Sequence, residues 1–342
     1  MALPPILQNL RIPVIGAPMF IVSNPELVIA QCTSGIVGGF PAFNAREEEG
    51  APIELDRWIT RIKEGCDRHN QAHPERPAAP FATNLIMHRS NKRLERDLDI
   101  CAKQKVPIMI TSLGAREEVY EAVRAYGGIT LHDVINNRFA RKAIEKGADG
   151  LIAVAAGAGG HAGITSPLAL VQEIREWFDG PLVLSGCITR GDSVLAAEAM
   201  GADLSYVGSG FIATEEANAA DGYKEMIVDS AADDIIYTDL LSGLHGSYLK
   251  GSVRNAGLDP DNLETSIASV LKAGEGSSAA AKWKEDSSRP KAWKDIWSAG
   301  QGVGAIKDVP AAAELVDRLE REYLAARERL GLSPTTGVAA AG

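Results

Sequence analysis

Eight short apolar runs recur along the first 210 residues, and they limit the possible folds more than any other feature of the chain. Each is rich in β-branched residues and is closed by glycine, proline or asparagine. The runs are IPVIGAPM (12–19), GIVGGF (35–40), APFATNLI (79–86), VPIMITSLG (106–114), GITLHDV (128–134), GLIAVAAG (150–157), PLVLSG (181–186) and LSYVGSG (204–210). Continuous rather than alternating hydrophobicity is typical of strands covered on both faces, as in a parallel sheet.

Helical patterns separate most of these runs. Residues 137–146 and 192–200 are two of them, and each leads into a phrase, KGADG or MGADL, in which glycine ends a helix before the next strand begins. Eight strand–helix units in roughly 200 residues predict an α/β fold of the (β/α)8 TIM-barrel type. A doubly wound open sheet is the alternative, and the count of eight favours the barrel.

The strand–helix rhythm stops at residues 215–304. This segment holds helical stretches, a Gly/Ser/Ala-rich loop at 274–281 and the tryptophans Trp283, Trp293 and Trp297. We interpret it as an inserted, mainly helical substrate or cap domain over the barrel mouth. After it, Asp308 and Pro310 open an amphipathic helix that returns to the barrel, with an apolar side made of Leu315, Leu319, Tyr323, Ala326 and Leu330. The predicted domains are therefore a barrel (1–214 and 305–332), a cap (215–304) and a disordered tail (333–342).

Charge and cysteine content exclude several function classes. The net charge of −10 argues against nucleic-acid or anionic-membrane partners, which are held by clustered Lys and Arg. The four cysteines are scattered, without a CxxC pair or a secretory leader, so we expect reduced thiols in the cytoplasm. The spacing of His and Cys offers no metal site. The uncharged stretch 151–171 is broken by glycines and Pro167, which argues against a membrane span.

Two glycine-containing loops predict a phosphate site. In TIM barrels a phosphate often lies between the loops after strands seven and eight, here SGCITRGD (185–192) and YVGSGF (206–211). Gly186, Cys187, Gly208 and Ser209 can offer backbone N–H groups there, with Asp192 capping the helix that follows. Glycines that only make tight turns are the alternative.

The segment GLIAVAAGAGGHAG (150–163) ends a buried strand on a turn of small residues and one imidazole, His161. Its backbone could lie close against a flat ligand, and an imidazole at this mouth suits a general base at neutral pH. A histidine that only fixes the loop by hydrogen bonding is the alternative. Gly157, Gly159 and Ala162 also fit GxGxxA, but a dinucleotide fingerprint would run directly into a helix, which is not predicted here.

Six segments together resemble the nitronate monooxygenases, formerly called 2-nitropropane dioxygenases. They are APMF (17–20), TNLI (83–86), GAGGHAG (157–163), SGCI (185–188), GADLSYVGSGFIATEEA (201–217) and IWSAGQGVG (296–304), in the family's order and through nearly the whole chain. Members of this family are FMN-dependent barrels with an inserted substrate domain. The resemblance therefore implies FMN as cofactor.

The resemblance also implies a role for each matching residue. The residues along or beside the flavin ring would be Ala17, Pro18, Met19, Gly159 and Gly160. Asn84 and Ser112 would form hydrogen bonds with the flavin. The residues around its phosphate would be Gly186, Cys187, Gly208 and Ser209. His161 matches the catalytic histidine, and Ser298 falls in the stretch that faces the substrate. The chain departs from the family where His132 or Asp133 replaces a lysine often found on strand five, and where Cys187 replaces a glycine.

The implied reaction is oxidation of an alkyl nitronate by O2 to a carbonyl compound and nitrite. For a neutral nitroalkane, His161 would first remove the α-proton. The alternatives on the same scaffold are an FMN-dependent reductase that uses NAD(P)H, acting on enoyl-acyl-carrier-protein or on quinones, and a flavin-binding module without turnover. The expected partners are the small-molecule nitronate and O2, and a homodimer is left open.

Overall fold

A computed structural model describes residues 3–47, 53–270 and 289–332. Its barrel strands coincide with the eight apolar runs: β1 (Val14–Gly16), β2 (Gly38–Pro41), β3 (Phe81–Ile86), β4 (Ile108–Ser112), β5 (Ile129–Val134), β6 (Gly150–Val154), β8 (Leu182–Ser185) and β9 (Leu204–Val207). A second, smaller sheet contains β7 (Gly160–His161), β10 (Ile235–Thr238) and β11 (Gly246–Leu249).

The large sheet is a nearly closed barrel. Its strands are all parallel and follow the order β1-β9-β8-β6-β5-β4-β3-β2. A parallel bridge between Ile15 and Val37 brings β1 beside the chain that enters β2. The predicted TIM barrel is therefore confirmed, and the open-sheet alternative is wrong.

Helices follow most of the strands. They are α1 (Pro25–Thr33), α2 (Ile53–Ala72), α3 (Leu94–Lys103), α4 (Glu117–Ala125), α5 (Asn137–Glu145), α6 (Pro167–Arg175), α7 (Gly191–Ala199), α8 (Ser209–Ile212), α9 (Asp221–Asp229), α10 (Lys250–Asn255), α11 (Leu263–Val270) and α12 (Ala312–Arg329). Asn24 and Asn136 cap α1 and α5 by accepting backbone hydrogen bonds in the first turn. The predicted cap by Asp192 is wrong, because Arg190 occupies the N-cap position and the Asp192 carboxylate pairs with it.

Helix α12 is the returning outer helix, and it packs on α7 and α1. It buries Leu315, Leu319, Tyr323 and Ala326 on one side, as the periodicity predicted. The prediction was wrong for Leu330, because this residue is 62 % exposed. The helix ends at Arg329, and the chain turns away at Gly331, where φ is +68°.

Apolar side chains fill the barrel on both sides of its wall. Leu131, Ile110 and Ile152 belong to the cluster inside the barrel, whereas Met109 and Leu151 belong to the layer between strands and helices. Successive residues of a strand point to opposite faces. This alternation turns Asp133 inward with Leu131 and turns His132 outward.

The described part of the cap combines α9, α10 and α11 with the small sheet. Strands β10 and β11 are antiparallel, and β11 pairs with β7 through Gly246 opposite His161 and Ser247 opposite Gly160. The cap is thus hydrogen-bonded to the barrel loop that carries His161, a pairing the sequence pattern did not predict. The loop at 274–281, Trp283 and the tail 333–342 lie outside the described residues, and the domain limits at 214 and 304 stay a prediction.

Within the described ranges, no helix combines the length and apolar character that crossing a bilayer requires.

Candidate active site

A cavity of about 480 Å3 opens at the carboxyl ends of the barrel strands. This size lies within the range of roughly 300–1,000 Å3 usual for small-molecule and cofactor sites. All the site residues predicted from the sequence line this one cavity: Ala17, Pro18, Met19, Asn84, Ser112, Gly159, Gly160, His161, Gly186, Cys187, Gly208, Ser209 and Ser298. The structure brings them together, while their individual roles stay predictions.

The chain after β1 forms one wall, and the side chain of Asn44 holds it in place. The Asn44 amide nitrogen donates to the carbonyls of Met19 (2.9 Å) and Ser23 (2.8 Å), and its oxygen accepts from the Ile21 N–H (2.8 Å). Ile21 adopts a φ of +69°, which a β-branched residue rarely does without such support. Sequence reasoning missed Asn44, although an asparagine directly after a strand run (PAFN, 41–44) is a typical loop-fixing signal.

Backbone donors without acceptors also line the cavity. Gly186 and Cys187 have φ of +140° and +58°, so Cys187 adopts the left-handed conformation typical of glycine. The N–H groups of Cys187 and Ile188 donate to no acceptor in the parts of the chain that are described. Ser209 and Gly210 begin the short helix α8, and their N–H groups also donate to no acceptor in the described ranges, whereas those of the next two residues donate to the Gly208 carbonyl. These donors could hold an anionic phosphate.

Open space lies in front of Gly208, beside the start of α8. A Cβ atom on Gly208 would meet only Ala17 Cβ at 3.5 Å and Met19 Sδ at 3.8 Å, which is ordinary van der Waals contact. A ligand can therefore approach the backbone there. Gly208 thus differs from a glycine that is needed only for a tight turn, since its own φ is not in the left-handed region.

His161 lies on β7 with an unpartnered ring nitrogen. Its Nε2 is buried and has no hydrogen-bond partner among the described residues. The ring packs edge-on against Trp293, with centroids 5.0 Å apart. Burial lowers the pKa of His161 below its usual value of about 6.5, so the imidazole is neutral at pH 7. A neutral imidazole with a free ring nitrogen can accept a proton.

Ser298 joins the cap to the His161 loop through its hydroxyl group. Its Oγ accepts from the Gly160 N–H (2.8 Å) and donates to the Ser247 carbonyl (2.6 Å). Its backbone carbonyl accepts from the Tyr223 hydroxyl, and Tyr223 stacks on Trp297 with centroids 5.0 Å apart. The hydroxyl predicted to face the substrate is therefore already engaged with backbone groups on both sides.

Gly159 allows two distant segments to touch. A Cβ at this position would lie 3.0 Å from the Ala299 carbonyl carbon and 2.8 Å from the Gly300 nitrogen, and the second distance is shorter than real Cβ contacts. Nearby, the Gln301 N–H donates to the Gly157 carbonyl (2.9 Å). The GAGGH loop therefore leads into a strand and a backbone contact rather than into the helix of a dinucleotide fingerprint, as expected.

Three polar side chains form a row across neighbouring strands, which we call the Asn84–Ser112–Asp133 row. The Asn84 amide donates to Ser112 Oγ (2.7 Å), and Ser112 Oγ donates to Asp133 Oδ2 (2.7 Å). Burial raises the pKa of Asp133 to about 7, against the lowering effect of the Ser112 hydrogen bond. The other carboxyl oxygen, Oδ1, is buried without a partner in the described structure.

His132, the other candidate for the strand-five position, does not reach the cavity. Its Nδ1 lies 2.7 Å from Thr111 Oγ1 and 3.0 Å from the Tyr120 hydroxyl, between the strands and α4. Burial lowers the pKa of His132 to about 4. Of the two candidates, Asp133 is therefore the one that lines the cavity.

The cavity wall is mainly apolar. No Lys or Arg occurs among the lining residues in the described ranges, and the ionisable ones are Asp133, His161, Cys187, Tyr206 and Tyr223. Phe20, Phe43, Leu113 and Ile135 are among the apolar lining side chains. A ligand is therefore held by backbone donors and apolar contacts rather than by side-chain cations.

Comparison with known proteins gives matches over nearly the whole chain. The family model described as nitronate monooxygenase matches residues 6–322. A nitronate monooxygenase of Paraburkholderia phytofirmans is 29 % identical, with 93 % of this chain and 94 % of the relative covered.

Two solved structures are similar in fold. A nitroalkane oxidase from Streptomyces ansochromogenes has a TM-score of 0.72 at 23 % identity, covering 94 % of this chain and 98 % of the other. FabK from Thermotoga maritima has a TM-score of 0.73 at 21 % identity, covering 95 % and 96 %.

Proposed function

The chain belongs to the nitronate monooxygenase family and is a flavin-dependent oxidoreductase, and we propose that it uses FMN to oxidise alkyl nitronates with O2 to carbonyl compounds and nitrite. One observation carries this proposal. In the described structure, the unpartnered Nε2 of His161 and the unpaired backbone donors at 187–188 line the same cavity, so a proton acceptor and an anion site share one ligand space.

The residues present fit an FMN molecule. The donors at 187–188 and at the start of α8 would hold its phosphate, the wall 17–19 would lie along its ring, and the Asn84–Ser112–Asp133 row would meet its polar edge. When bound, the flavin supplies the electron-accepting and oxygen-reacting chemistry that no side chain provides.

The chain's own residues bind the substrate and move its proton. An alkyl nitronate has already lost its α-proton, so it needs only to be positioned. A neutral nitroalkane must lose that proton, and His161 Nε2 is the acceptor because it is neutral and unpartnered. Trp293 holds the imidazole in place through their edge-on contact.

The lining favours nitronates with an uncharged alkyl chain. A carboxylate on the substrate would need a cationic or hydrogen-bonding partner to offset its desolvation. The described lining offers no Lys or Arg and presents side chains such as Phe20, Leu113 and Ile135. Butylnitronate should therefore show a higher kcat/KM than propionate-3-nitronate.

Anaerobic mixing of the oxidised holoenzyme with ethylnitronate, NADH or NADPH in separate cuvettes tests the proposal. Flavin absorbance at about 450 nm should fall when the nitronate is added and remain unchanged with either nicotinamide. On admission of air, the nitronate sample should form nitrite and consume O2. Fast bleaching by NAD(P)H with an inert nitronate would instead identify a reductase, the alternative on this scaffold.

The cofactor is identified by denaturing the protein and separating the released flavin chromatographically. FMN is expected, because the cavity shows one group of backbone donors for a phosphate. Release of FAD, or failure of the apoprotein to take up FMN, would contradict the cofactor assignment.

A further inference from the structure

We propose that Asp133 contacts the bound flavin as a neutral carboxylic acid, with Oδ1–H donating a hydrogen bond to an acceptor on the polar edge of the flavin ring. The inference rests on the proposed function, because it takes FMN to occupy the cavity.

The direction of the hydrogen bonds in the row decides which atom of Asp133 is free. Ser112 has one hydroxyl proton and donates it to Asp133 Oδ2, while Asn84 donates to the Ser112 oxygen. Oδ2 is therefore an acceptor, and the remaining carboxyl oxygen, Oδ1, has no partner in the described chain. Since Asp133 lines the cavity, a ligand bound there can pair with Oδ1.

The surroundings of Asp133 favour its neutral form. The groups that face it are Ser112 on β4, Asn84 on β3, and Tyr206 on β9, and its neighbour across the β5–β6 pairing is Ile152. None of these is a cation. An ionised carboxylate would keep a single side-chain hydrogen bond in a buried site, which is unfavourable unless a charge compensates it.

Ligand binding strengthens this preference. Burial already raises the pKa of Asp133 to about 7 against the lowering effect of the Ser112 hydrogen bond, and a flat ligand over the carboxyl group would remove still more water. On the polar edge of the flavin the carbonyl oxygens are acceptors, which attract an O–H donor and repel a carboxylate, whereas the N3–H group between them is a donor. FMN should therefore bind more weakly as Asp133 ionises.

The remaining ionisable lining groups do not change charge in the same pH range. Burial lowers the pKa of His161 and raises the pKa values of Cys187, Tyr206 and Tyr223. Between about pH 7 and pH 8.5, Asp133 is accordingly the lining side chain of the described residues that titrates.

FMN titration of the apoprotein, followed by quenching of flavin fluorescence between about pH 6 and pH 9, tests the inference. The Kd of the wild type should rise towards tenfold per pH unit above the pKa of Asp133. Asp133→Asn is the matched variant, since its amide can accept from Ser112 and donate to the flavin at every pH. It should bind as tightly as the wild type at low pH and lack the additional rise. The FMN phosphate, which ionises near pH 6, affects both proteins equally.

Ser112→Ala supplies a second variant. The Ser112 hydrogen bond lowers the pKa of Asp133, so its removal should move the onset of weakening to higher pH. Parallel curves for wild type and Asp133→Asn, or an unmoved onset in Ser112→Ala, would overturn this inference alone. Tight wild-type binding at pH 9 with at least tenfold weaker binding by Asp133→Asn would also overturn it, by showing an ionised acceptor. No FMN binding at any pH would overturn the cofactor assignment and this inference with it.

Discussion

Replacing His161 with Asn should separate neutral nitroalkanes from nitronates as substrates. Asn keeps a polar side chain of similar length but cannot accept the α-proton. The buried Nε2 of His161 has no partner to lose among the described residues, so its removal leaves no orphaned protein donor or acceptor there. The expected change is therefore in the proton-transfer step.

The size of the loss follows from the role of the imidazole. General-base catalysis contributes about 10²–10⁴-fold, or about 3–5 kcal/mol of transition-state stabilisation. We expect kcat/KM for nitroethane to fall by that factor, with kcat/KM for ethylnitronate changed less than about tenfold. Nitrite formation measures both, after FMN content has been matched between variant and wild type.

The pH profile provides an independent check. Burial lowers the pKa of His161, so the wild-type imidazole stays neutral down to below about pH 6.5 and loses its proton-accepting form only in more acid solution. Nitroethane turnover should decline in that acid range in the wild type.

Trp293→Leu, which removes the ring against His161, should lower nitroethane turnover less than His161→Asn does. Equal losses on both substrates in His161→Asn would refute the base assignment and make His161 a positioning residue.

Three further predictions concern the flavin site and its frame. Gly208→Ala should retain FMN, because its Cβ would meet Ala17 and Met19 at 3.5 and 3.8 Å, whereas Gly208→Leu should lose FMN because the larger side chain fills the cavity. The flavin-to-protein absorbance ratio measures FMN content, and full occupancy in the Leu variant would place the phosphate elsewhere. Ser298→Ala should lower the free energy of unfolding by about 1–3 kcal/mol in urea, since it removes the bonds to Gly160 and Ser247, and no change would show that these bonds are not kept in solution. In the flavin-free protein, Asp133 is protonated in the folded state between about pH 4 and pH 7, whereas the same residue is ionised in the unfolded chain. The contribution of Asp133 to stability is therefore lost as the pH rises through this window. The free energy of unfolding of the wild type relative to Asp133→Asn should therefore fall by about 1.4 kcal/mol per pH unit there, and a constant difference would contradict the raised pKa.

The barrel and the position of its mouth could be predicted from the sequence. Parallel strands buried on both faces need continuous apolar runs, and all eight runs became strands of the barrel. Because loops after parallel strands meet at one end, the residues at 17–19, 84, 112 and 186–187 could be expected around one cavity, where the structure places them.

The errors at helix ends have a local cause. The periodicity of α12 extends to Leu330, but hydrophobic pattern does not mark where a helix stops, and the chain leaves the helical path one residue earlier. Similarly, the sequence predicts that Asp192 caps the helix that follows β8, whereas the Asp192 carboxylate forms an ion pair with the Arg190 guanidinium.

The arrangement around His161 was decided by tertiary structure. Strand β7 is two residues long and carries no strand pattern, and it exists because β11 of the cap pairs with it. Ser298 reaches Gly160 across 138 residues of sequence, and the ring of Trp293 meets His161 in the same way. Sequence alone determined which segments are strands, since burial and backbone preference act over a few neighbouring residues. Which side chains then meet in the cavity depends on how the cap lies on the barrel, because contacts between distant segments form only when the whole chain has folded.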